Sequence, residues 1–130
     1  ITYHIHTLFW QSNANSTAFA MDVRDRFIQA FQVTDVSCDF AAANIEPSQK
    51  DICAFAVPET LGPAGPFLTA QLAYFIPKSK LESAMHWFSA NKGNLDIFIH
   101  PNSGCSYHDH VDFSVWGGNK WEIDSTILSS

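Results

Sequence analysis

The hydrophobic and polar positions of this chain switch between the two-residue period of strands and the period of helices. Residues Tyr3 to Trp10 alternate and predict a first strand. Within Ala18 to Phe31, apolar residues recur at every fourth position and predict an amphipathic helix, with Ser16 or Thr17 as its cap. These apolar residues are Phe19, Val23, Phe27 and Phe31. Val33 to Phe40 then predicts a second strand.

The second half of the chain repeats this order. Phe67 to Ile76 predicts a long apolar strand, and Pro77 precedes a helix over Ser79 to Asn91 that ends at a glycine cap, Gly93. Leu95 to His100 alternates again and predicts a further strand. Two strand–helix–strand units in one chain predict an α+β fold, a ferredoxin-like sandwich with an antiparallel sheet and two helices on one face. We expect residues 1–130 to form a single domain.

The connecting segments carry weaker signals. Ala41 to Asp51 is predicted as a loop, Ile52 to Pro58 as a short apolar segment, and Leu61 to Pro66 as a turn rich in glycine and proline. Ser103 to Ser130 is acidic and poorly periodic. The sheet face without helices could carry a functional site or pair with a second subunit, so a homodimer is one expectation.

Charge narrows the set of partners. The chain carries a formal net charge of −6 and only seven lysines and arginines, which form no basic stripe. Nucleic acid and anionic membranes are therefore not expected partners. No apolar run approaches the ~20 residues that a membrane-spanning helix needs.

Five of the six histidines fall into two clusters, and they suggest a metal site. Alternate residues of a strand project to the same side, so His4 and His6 share one face. His108 and His110 would also share a face if Tyr107 to Val111 is extended. Neutral imidazole is the commonest protein ligand for zinc, copper and iron. The clusters comprise His4 and His6, and then His100, His108 and His110.

Three features favour secretion. Cys38 and Cys53 lie at the ends of two apolar segments, so we predict a disulfide between them, with two buried thiols as the alternative. Cys105 would then remain unpaired. Asn15 begins an Asn-Ser-Thr glycosylation sequon in a polar stretch, and lysine is scarce. The chain is therefore predicted to be a secreted glycoprotein.

Several strings, in this order and spacing, resemble the small single-domain DOPA 4,5-dioxygenase family. They are Tyr3-His4-Ile5-His6, Gly62-Pro63, Ile99-His100-Pro101-Asn102-Ser103-Gly104, Asp109-His110 and Trp116-Gly117-Gly118. The His-Pro-Asn-Ser-Gly string with Asp-His shortly after it is the most specific, whereas His-x-His alone is weak. The resemblance implies a ferredoxin-like fold and extradiol ring cleavage of a catechol such as L-DOPA, with non-haem Fe(II) as cofactor.

Extradiol cleavage needs an iron ion with adjacent open positions, which three histidines on one side of the ion would leave. Our preferred ligands are His6, His100 and His110. His4 is the fourth candidate ligand, or it acts as the acid–base group, and His108 could replace it if the last segment folds inward. Asp109 is expected to orient a ligating imidazole.

The chain departs from the family pattern at one position. After Gly62-Pro63 the family pattern has a histidine, whereas this chain has Ala64, which can neither bind metal nor move a proton.

We expect Asn102, Ser103 and Trp116 to contact a catechol-type substrate. The alternatives are a copper- or zinc-binding protein on the same scaffold without catalysis, and an interaction domain whose histidines are incidental.

Overall fold

The computed structural model describes residues 2–38, 51–58 and 61–128. Within these ranges the chain forms six strands and three α helices, joined by turns and by two short 3₁₀ segments, Lys78–Lys80 and Ser125–Ile127. The strands are β1 Thr2–Phe9, β2 Asp35–Cys38, β3 Cys53–Phe55, β4 Ala70–Pro77, β5 Asp96–Asn102 and β6 Val115–Gly117. The helices are α1 Ala14–Ala30, α2 Leu81–Asn91 and α3 Ser106–Val111.

All six strands form one sheet in the order β2-β3-β4-β1-β5-β6. Strand β1 is central and pairs antiparallel with both β4 and β5. The pairs β3–β4 and β5–β6 are also antiparallel, whereas β2 runs parallel to β3. The inner order β3-β4-β1-β5, with two helical crossovers, is that of a ferredoxin-like sheet, and the predicted α+β fold is confirmed.

One face of the sheet packs against α1 and α2. Alternate β1 residues, Ile5 and Phe9, lie in this core together with Val23 and Phe27 of α1 and Phe88 of α2. The Phe27 and Phe88 rings stack with centroids 4.5 Å apart. Phe27 and Phe88 are fully excluded from solvent, and the burial of each contributes about 2–3 kcal/mol to the stability of the fold.

The intervening residues of the strands point to the opposite face. There His4 lies opposite His100, and His6 lies opposite Phe98, across the β1–β5 pair. The chain after β6 covers part of this face, because Ile123 bridges to Phe67 and the Asp124 amide donates to the Pro66 carbonyl at 2.7 Å. The polar side chains are therefore enclosed between the sheet and this last segment.

Helix α1 begins earlier than predicted. Asn13 is its cap, and its side-chain oxygen accepts from the Ser16 amide at 3.0 Å, so neither Ser16 nor Thr17 fills that role. The prediction of a glycine after α2 is confirmed. Gly93 has φ +54°, and a Cβ at this position would lie 2.7 Å from the Phe19 ring, so the close approach of α1 requires glycine.

The largest departure from the sequence-based expectations lies after β5. The segment predicted as aperiodic contains both α3 and β6. The condition that Tyr107 to Val111 be extended is wrong, because these residues are helical. Elsewhere the strand and helix boundaries agree within four residues over the described part of the chain. The predicted loop Ala41 to Asp51 lies outside the described residues except for Asp51.

Among the residues that the structure describes, no helix combines the length and hydrophobicity that crossing a bilayer requires.

Candidate metal centre and cleft

Three buried histidines from two neighbouring strands meet on the open face of the sheet. One ring nitrogen from each of His4, His6 and His100 lies within 4.8 Å of the other two. All three side chains are at most 3% exposed. The strand register explains this grouping, because His4 and His6 alternate along β1 and His100 lies directly opposite His4 on β5.

The tautomers of His6 and His100 are fixed by their neighbours. His6 Nδ1 lies 2.8 Å from Gln71 Oε1, and His100 Nδ1 lies 2.9 Å from the Pro101 carbonyl oxygen. Both oxygens can only accept, so in the neutral rings both Nδ1 atoms carry the proton. Each Nε2 atom is then left with its lone pair.

These two lone pairs face each other. His6 Nε2 and His100 Nε2 are 3.1 Å apart in a buried site. With both Nδ1 atoms protonated, no hydrogen remains to join the two Nε2 atoms, and the contact is repulsive unless a cation lies beside both. Neighbouring nitrogen ligands of an ion at about 2.0–2.1 Å lie roughly 3 Å apart, which matches this separation.

The protonation states also favour metal binding. Burial, and to a smaller extent the charge on His110, lowers the pKa of His4 to about 3. Burial, followed by the neighbouring histidines, holds the pKa values of His6 and His100 well below the usual range. The three rings are therefore neutral at pH 7, which is the form that binds metal ions.

His110 approaches this cluster from α3. Its ring centroid lies 3.9 Å from that of His100, and its Nδ1 donates to the Ser106 carbonyl oxygen at 2.8 Å. Burial lowers the pKa of His110 as well. Its Nε2 lone pair is therefore available, although His110 is outside the group of three nitrogens described above.

His108 does not join the cluster. Because α3 is a helix, residues two apart point in different directions, and His108 is exposed and paired with Asp112. The candidate role of His108 at the site is thus contradicted by the structure. His86, the sixth histidine, is exposed on α2.

A cleft of about 730 Å³ opens beside the histidines. Asn102 and Ser103, predicted substrate contacts, both lie in its wall, and so does Ala64. The remaining lining residues come from β1, β5 and α3, from the turn before β4, from the β5–α3 connection and from the last segment. They are His4, His6, Gly65, Pro66, Phe67, His100, Gly104, Ser106, Asp109, His110 and Leu128.

Trp116 and Asp109 differ from their predicted roles. Trp116 packs on Phe98 with ring centroids 4.5 Å apart and lines a second cleft instead of the histidine cleft. Asp109 is buried, but both of its oxygens accept hydrogen bonds from Ser103, and none from an imidazole is seen among the described residues. It therefore holds the turn after β5 and does not orient a ring.

The structure contains the predicted disulfide. Cys38 and Cys53 are bonded at the point where β2 and β3 pair, and Cys105 is a free, exposed cysteine. Asn15 is exposed in the first turn of α1.

The Dopa 4,5-dioxygenase family model matches residues 3–127. The chain belongs to this family. A curated relative, DOPA 4,5-dioxygenase of Amanita muscaria, is 23% identical over 129 residues, which cover 97% of this chain and 49% of that protein. The chain thus spans about half the length of this relative.

The fold recurs in a solved structure from Nostoc punctiforme PCC 73102, described as that of a candidate dioxygenase. It superimposes with a TM-score of 0.70 at 21% identity and covers 97% of this chain and 89% of that one. At this identity the likeness concerns the fold.

Gln71 is the polar partner that sequence reasoning missed in this member of the Dopa 4,5-dioxygenase family. It lies on β4 opposite Leu8 and reaches the ring of His6. A polar side chain inside the apolar segment Phe67 to Ile76 was a visible signal. The backbone carbonyls of Pro101 and Ser106, which orient His100 and His110, left no such signal because any residue supplies a carbonyl.

Proposed function

We propose that this protein is a metal-dependent dioxygenase that cleaves the ring of a catechol in the cleft beside its histidine cluster. The contact between His6 Nε2 and His100 Nε2, with both Nδ1 protons engaged elsewhere, is the observation that carries the proposal. It supports a cation at this point, and family membership supports the choice of a dioxygenase reaction.

His4, His6 and His100 would hold the metal, since their nitrogens are already grouped and their rings are neutral. The outward hydrogen bonds of His6 and His100 would keep both rings oriented toward it. A ferrous ion bound there would supply neighbouring coordination positions for the catechol oxygens and for dioxygen.

His110 is the best candidate for the acid–base role. Its Nδ1 proton is held by the Ser106 carbonyl, so Nε2 can accept a proton from a catechol hydroxyl in the cleft. Its lowered pKa keeps this nitrogen unprotonated at neutral pH. His110 therefore takes over the role for which His108 was a candidate.

The cleft suits a small planar substrate. Phe67 and Pro66 form an apolar part of its wall, whereas Asn102, Ser103 and Asp109 place polar groups nearby. A few polar groups in a largely apolar cleft are typical of sites that orient an aromatic ligand. Exclusion of bulk water by Phe67 and Leu128 would protect the reacting ring.

A binding protein without catalysis is the second candidate function, and Ala64 favours it. The resemblance places a family histidine at this position, and Ala64 lies in the cleft wall. If that histidine is needed for turnover, the protein would bind copper or zinc through the same imidazoles without cleaving a ring.

One experiment separates the two functions. Metal content is first measured in the purified protein, and metal-free protein is then loaded with Fe(II) without oxygen and mixed with L-DOPA and oxygen. A yellow semialdehyde product with one metal ion per chain is expected for the dioxygenase. Stoichiometric metal without product, for L-DOPA and other catechols, would support the binding protein, and no metal at all would contradict both.

We also propose that the protein is secreted. The disulfide between Cys38 and Cys53 and the exposed sequon at Asn15 support this location. Intact mass before and after reduction and glycosidase treatment tests it: a gain of two hydrogens and the loss of a glycan are expected. Three free thiols, instead of the one expected from Cys105, together with no glycan on protein from its natural source would contradict secretion.

A further inference from the structure

A second cleft of about 540 Å³ borders His110. His110 is the one described residue that lines both clefts. The second cleft is formed mainly by β6 and the segment after it. Its other lining residues are Val111, Ser114, Trp116, Lys120, Trp121, Glu122, Ile123 and Ser125.

Both indoles in this cleft are held in place by buried groups. Trp116 packs against Phe98, which is fully excluded from solvent. The Trp121 ring nitrogen donates to Asp96 Oδ2 at 2.6 Å, and Asp96 is only 7% exposed. A rigid pair of indoles offers apolar area to an aromatic ligand at little entropic cost.

Asp96 also fixes the turn between these two tryptophans. Its Oδ1 accepts from the Asn119 amide at 2.8 Å. Gly118 has φ +98°, and a Cβ there would lie 2.5 Å from the same oxygen, so the turn closes over the carboxylate only with glycine. The contacts of Asp96 therefore fix both the Trp121 ring and the backbone between the two tryptophans.

Two opposite charges lie at this cleft. Lys120 and Glu122 both contribute to its wall, and neither takes part in any of the ion pairs found within the described residues. Each charge is thus available to a ligand. Their combination with two indoles matches a molecule that has an aromatic ring, a carboxylate and an ammonium group.

We propose that the second cleft binds an aromatic α-amino acid. The ring lies against Trp116 and Trp121, the carboxylate pairs with Lys120 and the ammonium pairs with Glu122. This site is separate from the proposed metal centre, and its ligand needs no catechol hydroxyls.

The test uses the metal-free protein and L-phenylalanine, which carries no ring hydroxyl, so its outcome is independent of the proposed reaction. The indole N–H signals of all four tryptophans are followed by NMR during titration. Saturable shifts of the Trp116 and Trp121 signals are expected, whereas Trp87, in the core on the other sheet face, should stay unchanged.

Three exposed-site variants sharpen this test. Lys120→Met should weaken binding by about tenfold or more, because it removes a charge-assisted contact. Lys78→Met, which removes an exposed lysine that does not line the cleft, should leave the affinity unchanged. Glu122→Gln should weaken binding of L-phenylalanine but not that of 3-phenylpropionate, which lacks the ammonium group.

The proposal is overturned if L-phenylalanine produces no saturable shift in folded protein. It is also overturned if Lys120→Met and Trp116→Leu, checked for fold by circular dichroism, bind as tightly as the unmodified chain. Loss of ring-cleavage activity or of metal would not affect either result.

Discussion

The carboxylate of Asp109 holds Ser103 by two hydrogen bonds. Its Oδ2 accepts from the Ser103 amide at 2.9 Å and its Oδ1 accepts from the Ser103 hydroxyl at 2.5 Å. Ser103 follows β5, which carries His100, and Asp109 precedes His110 on α3. This pair therefore ties the strand of one histidine to the helix of the other and keeps the wall of the cleft in place.

Asp109→Ala should destabilise the protein by about 2–4 kcal/mol, because it leaves the Ser103 amide and hydroxyl without their acceptor in a partly buried turn. Urea unfolding monitored by circular dichroism measures the change. Asp112→Ala is the matched control on the same helix, since Asp112 is exposed and pairs only with exposed His108. Asp112→Ala should lower the free energy of unfolding by less than about 1 kcal/mol. Equal effects of the two variants would show that the Asp109–Ser103 pair does not hold the turn.

His6→Ala and His100→Ala should each weaken metal binding by about 100-fold or more, because each removes one of the two facing Nε2 atoms. Metal stabilises only the form that binds it, so a metal ion should raise the Tm of the unmodified chain and not that of the variants. His86→Ala, on the exposed face of α2, is the control and should behave like the unmodified chain. Unchanged metal-dependent Tm shifts in both site variants would contradict the ligand assignment.

The metal-free protein should lose stability as the pH falls below about 6.5. The pKa of His4 is lowered from 6.5 to about 3 in the folded chain. Between pH 6.5 and pH 3 the unfolded chain therefore binds a proton at His4 that the folded chain does not bind. Stability is therefore fully present above pH 6.5 and declines toward pH 3, by about 2 kcal/mol for His4 alone between pH 7.5 and pH 5. His6 and His100 add to this loss, since their pKa values are lowered in the same direction.

Urea unfolding at pH 7.5 and at pH 5 measures this dependence, in a range where carboxylates remain mostly ionised. His4→Phe, which places a third aromatic ring beside Phe55 and Phe75, should make the pH dependence weaker, with His6 and His100 supplying what remains. A variant with the same pH slope as the unmodified chain would show that His4 does not titrate in this way.

The fold and the centre of the site were predictable because strand periodicity is a strong signal. Alternation placed His4 and His6 on one face of β1, and the pairing of β1 with β5 brought His100 opposite them. Helix α3 was not predictable in the same way. With only six residues it has no repeated apolar period, so an alternating pair of histidines could be read as a strand. That one difference removed His108 from the site.

Tertiary packing decided the positions that local pattern could not. Trp116 lies in a three-residue strand. The sheet face to which its side chain points depends on the pairing of β6 with β5, which no local sequence signal indicates. The disulfide, in contrast, was predictable from two segment ends joined by a short connection. The parallel pairing of β2 with β3 that places the two sulfurs together was not visible in the sequence.

Replacing both Cys38 and Cys53 by serine should lower the free energy of unfolding by about 3 kcal/mol, since the bond closes a loop with a sequence separation of 15 residues. Chemical unfolding with and without reductant measures this. Cys105→Ser is the control, because Cys105 is exposed and unbonded, and it should change little. If reductant does not destabilise the Cys105→Ser variant, the bond does not form in solution.

Ala64→His should raise the rate of the proposed catechol cleavage in the Fe(II)-loaded protein if turnover needs the histidine that the family resemblance implies at this position. The added imidazole has room, because Ala64 lines the cleft and a Cβ added at the neighbouring Gly65 would meet nothing within 4 Å. General acid–base groups contribute about 10²–10⁴-fold, so even a partial gain should be measurable as yellow product per unit time. Ala64→Gln, of comparable size but without a group that titrates near neutral pH, is the control. An equal rate in both variants and in the unmodified chain, with metal bound in all three, would mean that position 64 does not limit the reaction.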